Sequence, residues 1–410
     1  MRALGLNHDE GIARIASAMA TSPMNLSVTH QSQPVQDAGS GVAIVRATTA
    51  RLVDAFVELP YAMYANDRRW VPPLRRDERR RLSKRTNPFL DHADIELWVA
   101  LAGGVACGRI AAIEDRAHNE FHRERTGWFG FFEARDRTTA RALLEQVEGW
   151  SATRRLSAVR GPVNPSLNES AGLLVEGFDD DPSLLMPYNP PEYAEFVECA
   201  GYTKAKDLLA WELDPATPPA PRIERLADRL RRRRDLVVRR LNMKAFDRDL
   251  AAMNDIYRSA WHDNWGFVPP TDAEMKQLAN DFKPVIDPAV VLFAEIAGRP
   301  IACAVALPDL NQVLKRMNGR LFPFGVWHFL KRRSIITRVR VVLLGVLPEY
   351  RHLGIYPLLI SELHRNAVAS GYTRSELSWT LEDNDAVNAG ILATGGRVYK
   401  KYRIYEKALG

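Results

Sequence analysis

The stretch 338–371 constrains the chain more than any other: R-V-R-V-V-L-L-G-V-L-P-E-Y-R-H-L-G-I-Y-P-L-L-I-S-E-L-H-R-N-A-V-A-S-G. Its apolar, β-branched run 339–346 predicts a buried strand, and Leu358, Leu359, Leu363 and Val368 then recur at helical spacing. The strand stops at Pro348. Arg351-His352-Leu353-Gly354-Ile355-Tyr356 leads straight into the helix, so unpaired main-chain N–H groups converge at its positive end. Such an end attracts phosphate. Gly354 lets the main chain turn tightly and an anion approach without a Cβ in the way.

A chain of 410 residues makes two domains, or one large domain with additions. With 46% apolar and 26% charged residues it has the composition of a soluble globular protein, and no stretch nears the ~20 apolar residues that span a bilayer. Cys107, Cys199 and Cys303 lie far apart with no C-x-x-C pair, which argues against disulfides and zinc and for a reducing, cytoplasmic setting. The net charge of +6 favours an acidic partner: a nucleotide cofactor, an anionic membrane surface or nucleic acid.

Taken in order, residues 1–41 form a polar, small-residue tail expected to be disordered, with Met24 an alternative start. Residues 42–45 predict a strand, and Leu52, Phe56 and Leu59 line a helix ending before Pro60. The basic run 75–85 reads as a solvated helix face, because no aromatic ladder interleaves it for nucleic acid. Residues 95–101 and 105–113 flank Gly103-Gly104 as a hairpin. His118 and His122 are four apart but lack the glutamate placement and third ligand of a metal site, so no metal is expected. Residues 128–132 and 138–154 repeat the strand–helix order with no glycine between 133 and 138, so no phosphate cradle is expected there. Tyr188 and Asn189 sit in a turn-rich loop of the kind that carries ligand contacts, although structural turns account better for most residues of such a loop. The proline-rich segment 214–221 reads as a linker.

Beyond it, Trp261-His262-Asp263-Asn264-Trp265 ends a helix; His262 among tryptophans suits a proton acceptor facing an amine, or a packed, hydrogen-bonded imidazole. A second hairpin spans 290–307. An insertion at 309–337 sets aromatic and apolar residues between cations, as in a membrane-interface segment, a lid over a greasy substrate, or plain core.

The run Val346-Leu347-Pro348-Glu349-Tyr350-Arg351-His352-Leu353-Gly354-Ile355 resembles motif A of the GNAT acyltransferase superfamily, V-x-P-x-x-[RQ]-x-x-G-[IL]-[GA], with Tyr356 where a small residue is usual. The order of elements after 235 is similar to the GNAT layout, and 42–213 is a weaker echo. The resemblance therefore implies an α/β fold with a mixed sheet: two GNAT-like domains in tandem, a degenerate one at 42–213 and an acyl-CoA-binding one at 222–410. Glu376-x-Ser378-Trp379-x-Leu381-Glu382-Asp383-Asn384 and the segment 395–405 resemble a bacterial tandem group that includes the ceramide synthases.

The resemblance implies an N-acyltransferase in which a neutral amine attacks the acyl-CoA thioester directly. The cofactor would contact Val346, Leu347, Arg351, His352, Leu353, Gly354, Ile355, Tyr356 and Asn384, although Asn384 would equally cap a helix. A tyrosine usual seven residues after that asparagine is absent; the count reaches Ile391. Tyr399, Tyr402 or water would then be the acid, and Glu382 or His262 the base. Trp261, Trp265 and Trp379, with Tyr188 and Asn189, are candidates for the acceptor pocket. The expected partner is a small-molecule or lipid amine, with a cytoplasmic location, peripheral contact with an anionic inner membrane, and no nucleic acid.

Overall fold

The computed structural model describes residues 35–36, 41–322 and 325–410; the tail expected at 1–41 lies almost wholly outside them. The strands are β1 (Val35–Gln36), β2 (Val42–Arg46), β3 (Ala93–Ala102), β4 (Val105–Asp115), β5 (Thr126–Ala134), β6 (Ala158–Gly161), β7 (Leu173–Glu176), β8 (Thr203–Leu213), β9 (Leu236–Arg240), β10 (Val291–Ile296), β11 (Arg299–Pro308), β12 (Arg338–Val346), β13 (Arg374–Leu381) and β14 (Arg397–Ala408). They form one sheet in the order β1-β2-β3-β4-β5-β6-β14-β8-β13-β12-β11-β10-β9, with β7 also on β14. The pairs β5/β6 and β12/β13 are parallel, and the others are antiparallel. Both parallel pairs need a crossover. Helices Arg137–Thr153 and Tyr356–Ala369 supply them.

The hairpins follow from their turns. Gly103 and Gly104 both take positive φ (56° and 82°), as do Ala297 and Gly298 (51° and 77°), the pair of left-handed residues a two-residue hairpin requires. Helix Ala50–Met63 does not stop before Pro60 but runs through it. Proline has no N–H for the carbonyl four residues back. That carbonyl, Phe56 O, is taken instead by Arg109 Nη1 at 2.9 Å. In helix Tyr356–Ala369 the inward residues are Leu358, Leu359, Leu363 and Ala367, while Val368 is 48% exposed. Five residues past Leu363 is 140° round the helix, whereas four is only 40°.

Apolar residues cover both faces of the sheet. Ala140, Leu143, Leu144 and Val147 pack on one face of the first half, as Leu358, Leu359, Leu363 and Ala367 pack on the second. The opposite face holds Phe56, Phe131 and Met186 in the first half and Phe246, Ile256 and Leu343 in the second. Each buried Val, Leu, Ile, Phe or Met side chain among them contributes about 1.5–3 kcal/mol of transfer free energy.

The halves exchange their last strands. β8, which ends the first half, lies beside β13; β14, which ends the second, lies beside β6 and β7. The segment 214–221 therefore connects two halves of one sheet, and 34–410 is a single compact unit.

Candidate active site

β12 and β13 pair only from Arg338↔Arg374 to Val341↔Leu377. β12 then bulges opposite Val305/Ala306 and continues to Val346 against β11 alone, while Thr380 and Leu381 pair with β8 alone. The parallel strands thus part toward their C-terminal ends, leaving a wedge of main-chain polar groups with no ladder partner. The wedge leads to the phosphate-loop candidate.

That loop is a short 3-10 turn, Pro348–Leu353, closed by Gly354 at φ 66° and ψ 43°. A Cβ on Gly354 would meet nothing within 4 Å, so glycine is required for its left-handed backbone and not for lack of room. Buried Ile355 anchors the helix start. No side chain caps it, and Pro357 stands in its first turn, so Ile355, Tyr356 and Leu358 retain donors there. Arg351 and His352 are exposed beside these amides, and Arg351 forms no ion pair among the described residues. Its Nη2 donates instead to Ala260 O at 3.1 Å. Burial raises the Tyr356 hydroxyl pKa, so Tyr356 is neutral toward an anion.

Helix Phe246–Trp261 ends against both loop and wedge. Trp261 lies on Gly345 of β12, where a Cβ would fall 2.6 Å from its ring. The next residue, His262, opens a cleft of about 240 Å³ lined by His118, Phe121, His122, Arg160 and Trp265, among others. His262 Nδ1 lies 2.9 Å from Asp263, and its side chain is exposed. Across the cleft His118 is pushed down to about 4 by burial and by His122 beside it, so it is neutral; His122 Nε2 donates to Phe267 O at 2.9 Å. No group of three metal-ligating side chains occurs among the described residues.

A buried polar cluster lies where β12 and β13 begin to part. Arg340 Nε donates to Ser378 Oγ (2.7 Å) and its Nη1 to Leu184 O (2.6 Å), with Glu376 3.7 Å away. Glu376 accepts from both Ser378 Oγ and the Tyr399 hydroxyl. Burial, then the Glu376 charge, drives the Tyr399 pKa far up. Burial also lowers Arg340 and pushes Lys400 down to about 8; Lys400 Nζ donates to Gly177 O and Asp180 O. Arg338 pairs with buried Asp309 at 2.6 Å. Arg338 and Arg340 inside the otherwise apolar strand β12 were the sequence signal for this cluster; Glu376, among the polar residues of β13, gave none.

Other expected residues are engaged elsewhere. Glu382 pairs with Lys204 (2.6 Å) and accepts from Asp207 N (3.0 Å), so its carboxylate is held by β8. Asn384 caps helix Asp385–Ala393 by accepting from Val387 N. Asn189 is bonded to the main chain of Leu174 and Pro190, and Tyr188 donates to Asp67, both holding turns. Trp265 and Trp379 pack at the edge of one apolar cluster with Tyr399.

The matching cleft of the first half is closed by its own chain. β5 and β6 pair only from Thr126 to Trp128. Val163 N then donates to Phe129 O (2.9 Å), and Phe131 N to Asn164 Oδ1 (2.6 Å). A Cβ on Gly130 would fall 1.7 Å from Val163 O.

No protein-family model matches this sequence. The chain is 35% identical over 384 residues to the bacterial ceramide synthase of Caulobacter vibrioides (strain NA1000 / CB15N), covering 92% of this chain and 100% of that protein. It is also 35% identical over 363 residues to protein YghO of Escherichia coli (strain K12), covering 87% and 92%. A tandem GNAT protein from the clavulanic acid biosynthesis pathway, at 13% identity and a TM-score of 0.54, shares the fold over 90% of this chain and 99% of its own. A GCN5-related glucosamine N-acetyltransferase region of a fungal multi-domain β-N-acetylglucosaminidase does so at 14% identity and a TM-score of 0.53, covering 93% of this chain and 40% of that one. With a third of residues shared along nearly the full length of both curated relatives, the protein belongs to the family that contains the bacterial ceramide synthase, and it has the fold of the tandem GNAT protein.

Proposed function

We propose that the protein is an acyl-CoA-dependent N-acyltransferase whose cofactor lies along the wedge between β12 and β13. The observation that carries this reading is the junction of helix Phe246–Trp261: it abuts the phosphate loop through Arg351, the wedge through Trp261 on Gly345, and the cleft through His262. The diphosphate would rest on the amides of Ile355, Tyr356 and Leu358, beside Arg351 and His352. The pantetheine arm would replace the missing ladder bonds around Leu344 and Val346. Asn384 is left to its helix cap. The plugged cleft favours a first half that has lost its own cofactor site and serves as the acceptor wall.

In the reaction the amine nitrogen bonds to the thioester carbonyl carbon and the carbon–sulfur bond breaks. One proton must leave nitrogen and one must reach sulfur. We assign the base to Glu376, which lies where the strands part in a direct bond with Tyr399, rather than to Glu382, which Lys204 and the Asp207 amide hold on β8, and the acid to Tyr399. The amine proton passes to Glu376 while Tyr399 protonates the thiolate, and the direct bond between the two then restores both. Arg340 positions Ser378 beneath the parting strands. His262, exposed at the cleft, would accept the first proton from an incoming ammonium.

The name of the 35%-identical relative supports a finer reading, a long-chain acyl donor and a sphingoid-type amine. Product mass spectrometry tests it: palmitoyl-CoA with a long-chain amino alcohol should give an amide faster than acetyl-CoA with small polar amines. Acetylation of polar amines alone would leave a small-molecule acetyltransferase. Coenzyme A should raise the melting temperature of the wild type and not of Arg351→Ala with His352→Ala; no shift in the wild type removes the cofactor reading.

A further inference from the structure

The insertion leaves the sheet after Pro308 and rejoins it at Arg338. Its base is fixed: Val313, Met317 and Ile336 are buried, and Arg75 N donates to Gly319 O. Described side chains at its tip are exposed. Phe322 is 65% exposed, Trp327 59% and Leu330 50%, the last two sharing a face of helix Gly325–Leu330. Exposed large apolar side chains grouped in this way mark a binding surface.

Past Asp309 the insertion itself carries charge of one sign. No Asp or Glu occurs from Leu310 to Pro348. Arg316, Arg320, Lys331 and Arg333 are exposed, and among the described residues none of them, nor Arg332, forms an ion pair. Lys331 lies 4.5 Å from the centre of the Trp327 ring and Arg332 4.9 Å from that of Phe329, so cations flank the aromatic rings.

We propose that this tip docks on the surface of a bilayer carrying anionic phospholipid, with Trp327 and Leu330 entering the interfacial layer and the cations meeting headgroup phosphates. Indole is favoured at that depth, where one edge is apolar and the other wet. A second copy would bring the same positive charge against it, which disfavours self-association. The placement also separates two surfaces. The insertion rejoins at the start of β12 and the phosphate loop follows its end, about 30 Å away along a nine-residue strand. Lipid would then meet one end of the site, and water the nucleotide end. The inference stands on this surface alone and does not use the acyltransferase reading.

Co-sedimentation of the full chain with vesicles tests it, comparing phosphatidylcholine alone with phosphatidylcholine containing about one-third phosphatidylglycerol. The chain should bind the anionic vesicles, lose that binding in high salt, and ignore the neutral ones. Lys331→Ala with Arg333→Ala should weaken partition about fivefold for each cation removed. Trp327→Ala should weaken it while leaving the salt dependence, with melting temperature unchanged in both variants. Failure to bind, equal binding to both vesicles, undiminished binding of these variants, or a stable homodimer that buries Trp327 would each overturn the proposal. Should the double variant not fold, the wild-type salt and lipid dependence and Trp327→Ala still decide it. A coenzyme A shift that persists without vesicle binding would separate this failure from that of the cofactor reading.

Discussion

Glu376 and Glu382 stand six residues apart around one strand and have opposite surroundings. Glu376 is buried and accepts from Tyr399 and Ser378; Glu382 sits at the strand's end in an ion pair with Lys204. A base must be within reach of the reacting nitrogen; Arg340 lies 3.7 Å from Glu376 as Lys204 lies against Glu382, but Glu376 sits where the strands part, bonded to Tyr399, whereas Lys204 and the Asp207 amide hold Glu382 on β8. Glu376→Gln is therefore expected to cut kcat by about a hundredfold or more, with KM for the acyl donor little changed, whereas Glu382→Gln should alter kcat less than about twofold. Steady-state kinetics across pH checks both, and the reverse ranking would return the base to Glu382. At Gly354 the question is conformational. A side chain there meets open space, so Gly354→Ala pays for its positive φ alone, about 1–2 kcal/mol locally. Calorimetry with coenzyme A should show weakened binding as the amides turn away, with the melting temperature of the free protein lowered by only a few degrees.

At the scale of elements, His92 joins the halves. It follows the turn Pro88–Asp91, and its ring faces Asp115 at the end of β4 (3.0 Å) and Glu274 of helix Asp272–Phe282 (3.4 Å). Hydrogen bonds to Asp115 and then Glu274 raise it from 6.5 to about 10. A histidine raised on folding contributes stability that is full below its unfolded value near 6.5 and lost as pH rises through about 10. His92→Gln should thus lower the melting temperature at neutral pH and differ little from wild type above pH 10. What the sequence made legible is local in the same sense as this turn: the strand–loop–helix of 338–371, both hairpins and the helices that face the core all follow from period and turn chemistry. The misses have long-range causes. Pro60 continues its helix because Arg109, on β4, takes the freed carbonyl of Phe56. Asn189 reads as a ligand contact until Leu174 is seen to satisfy it. Glu376 reads as one polar residue in an alternating strand, and becomes part of a site only because β14 brings Tyr399 to it.

β14 also decides what the whole molecule can do without. Neither half holds a complete sheet, since β8 completes the second half and β14 the first. Separately expressed 42–213 and 222–410 would each expose a strand edge and an unfilled face, and are expected to be insoluble alone but to assemble when co-expressed. The same pseudo-repeat raises the number of cofactors a chain can hold. Two parallel pairs diverge, yet only the β12/β13 wedge is open; in the first half the Val163 amide and the Asn164 side-chain oxygen fill the matching space by bonding Phe129 O and Phe131 N, with Val163 O close against Gly130. Removing Asn164 would strip the Phe131 amide of its partner without creating a phosphate loop, because residues 133–138 contain no glycine and Asp136 caps the helix that follows. A carboxylate at that helix start opposes a diphosphate where Arg351 would attract one. Titration calorimetry should therefore give one coenzyme A per chain in the wild type and in Asn164→Ala alike, and a second site of comparable affinity in either would mean that the first half still binds nucleotide.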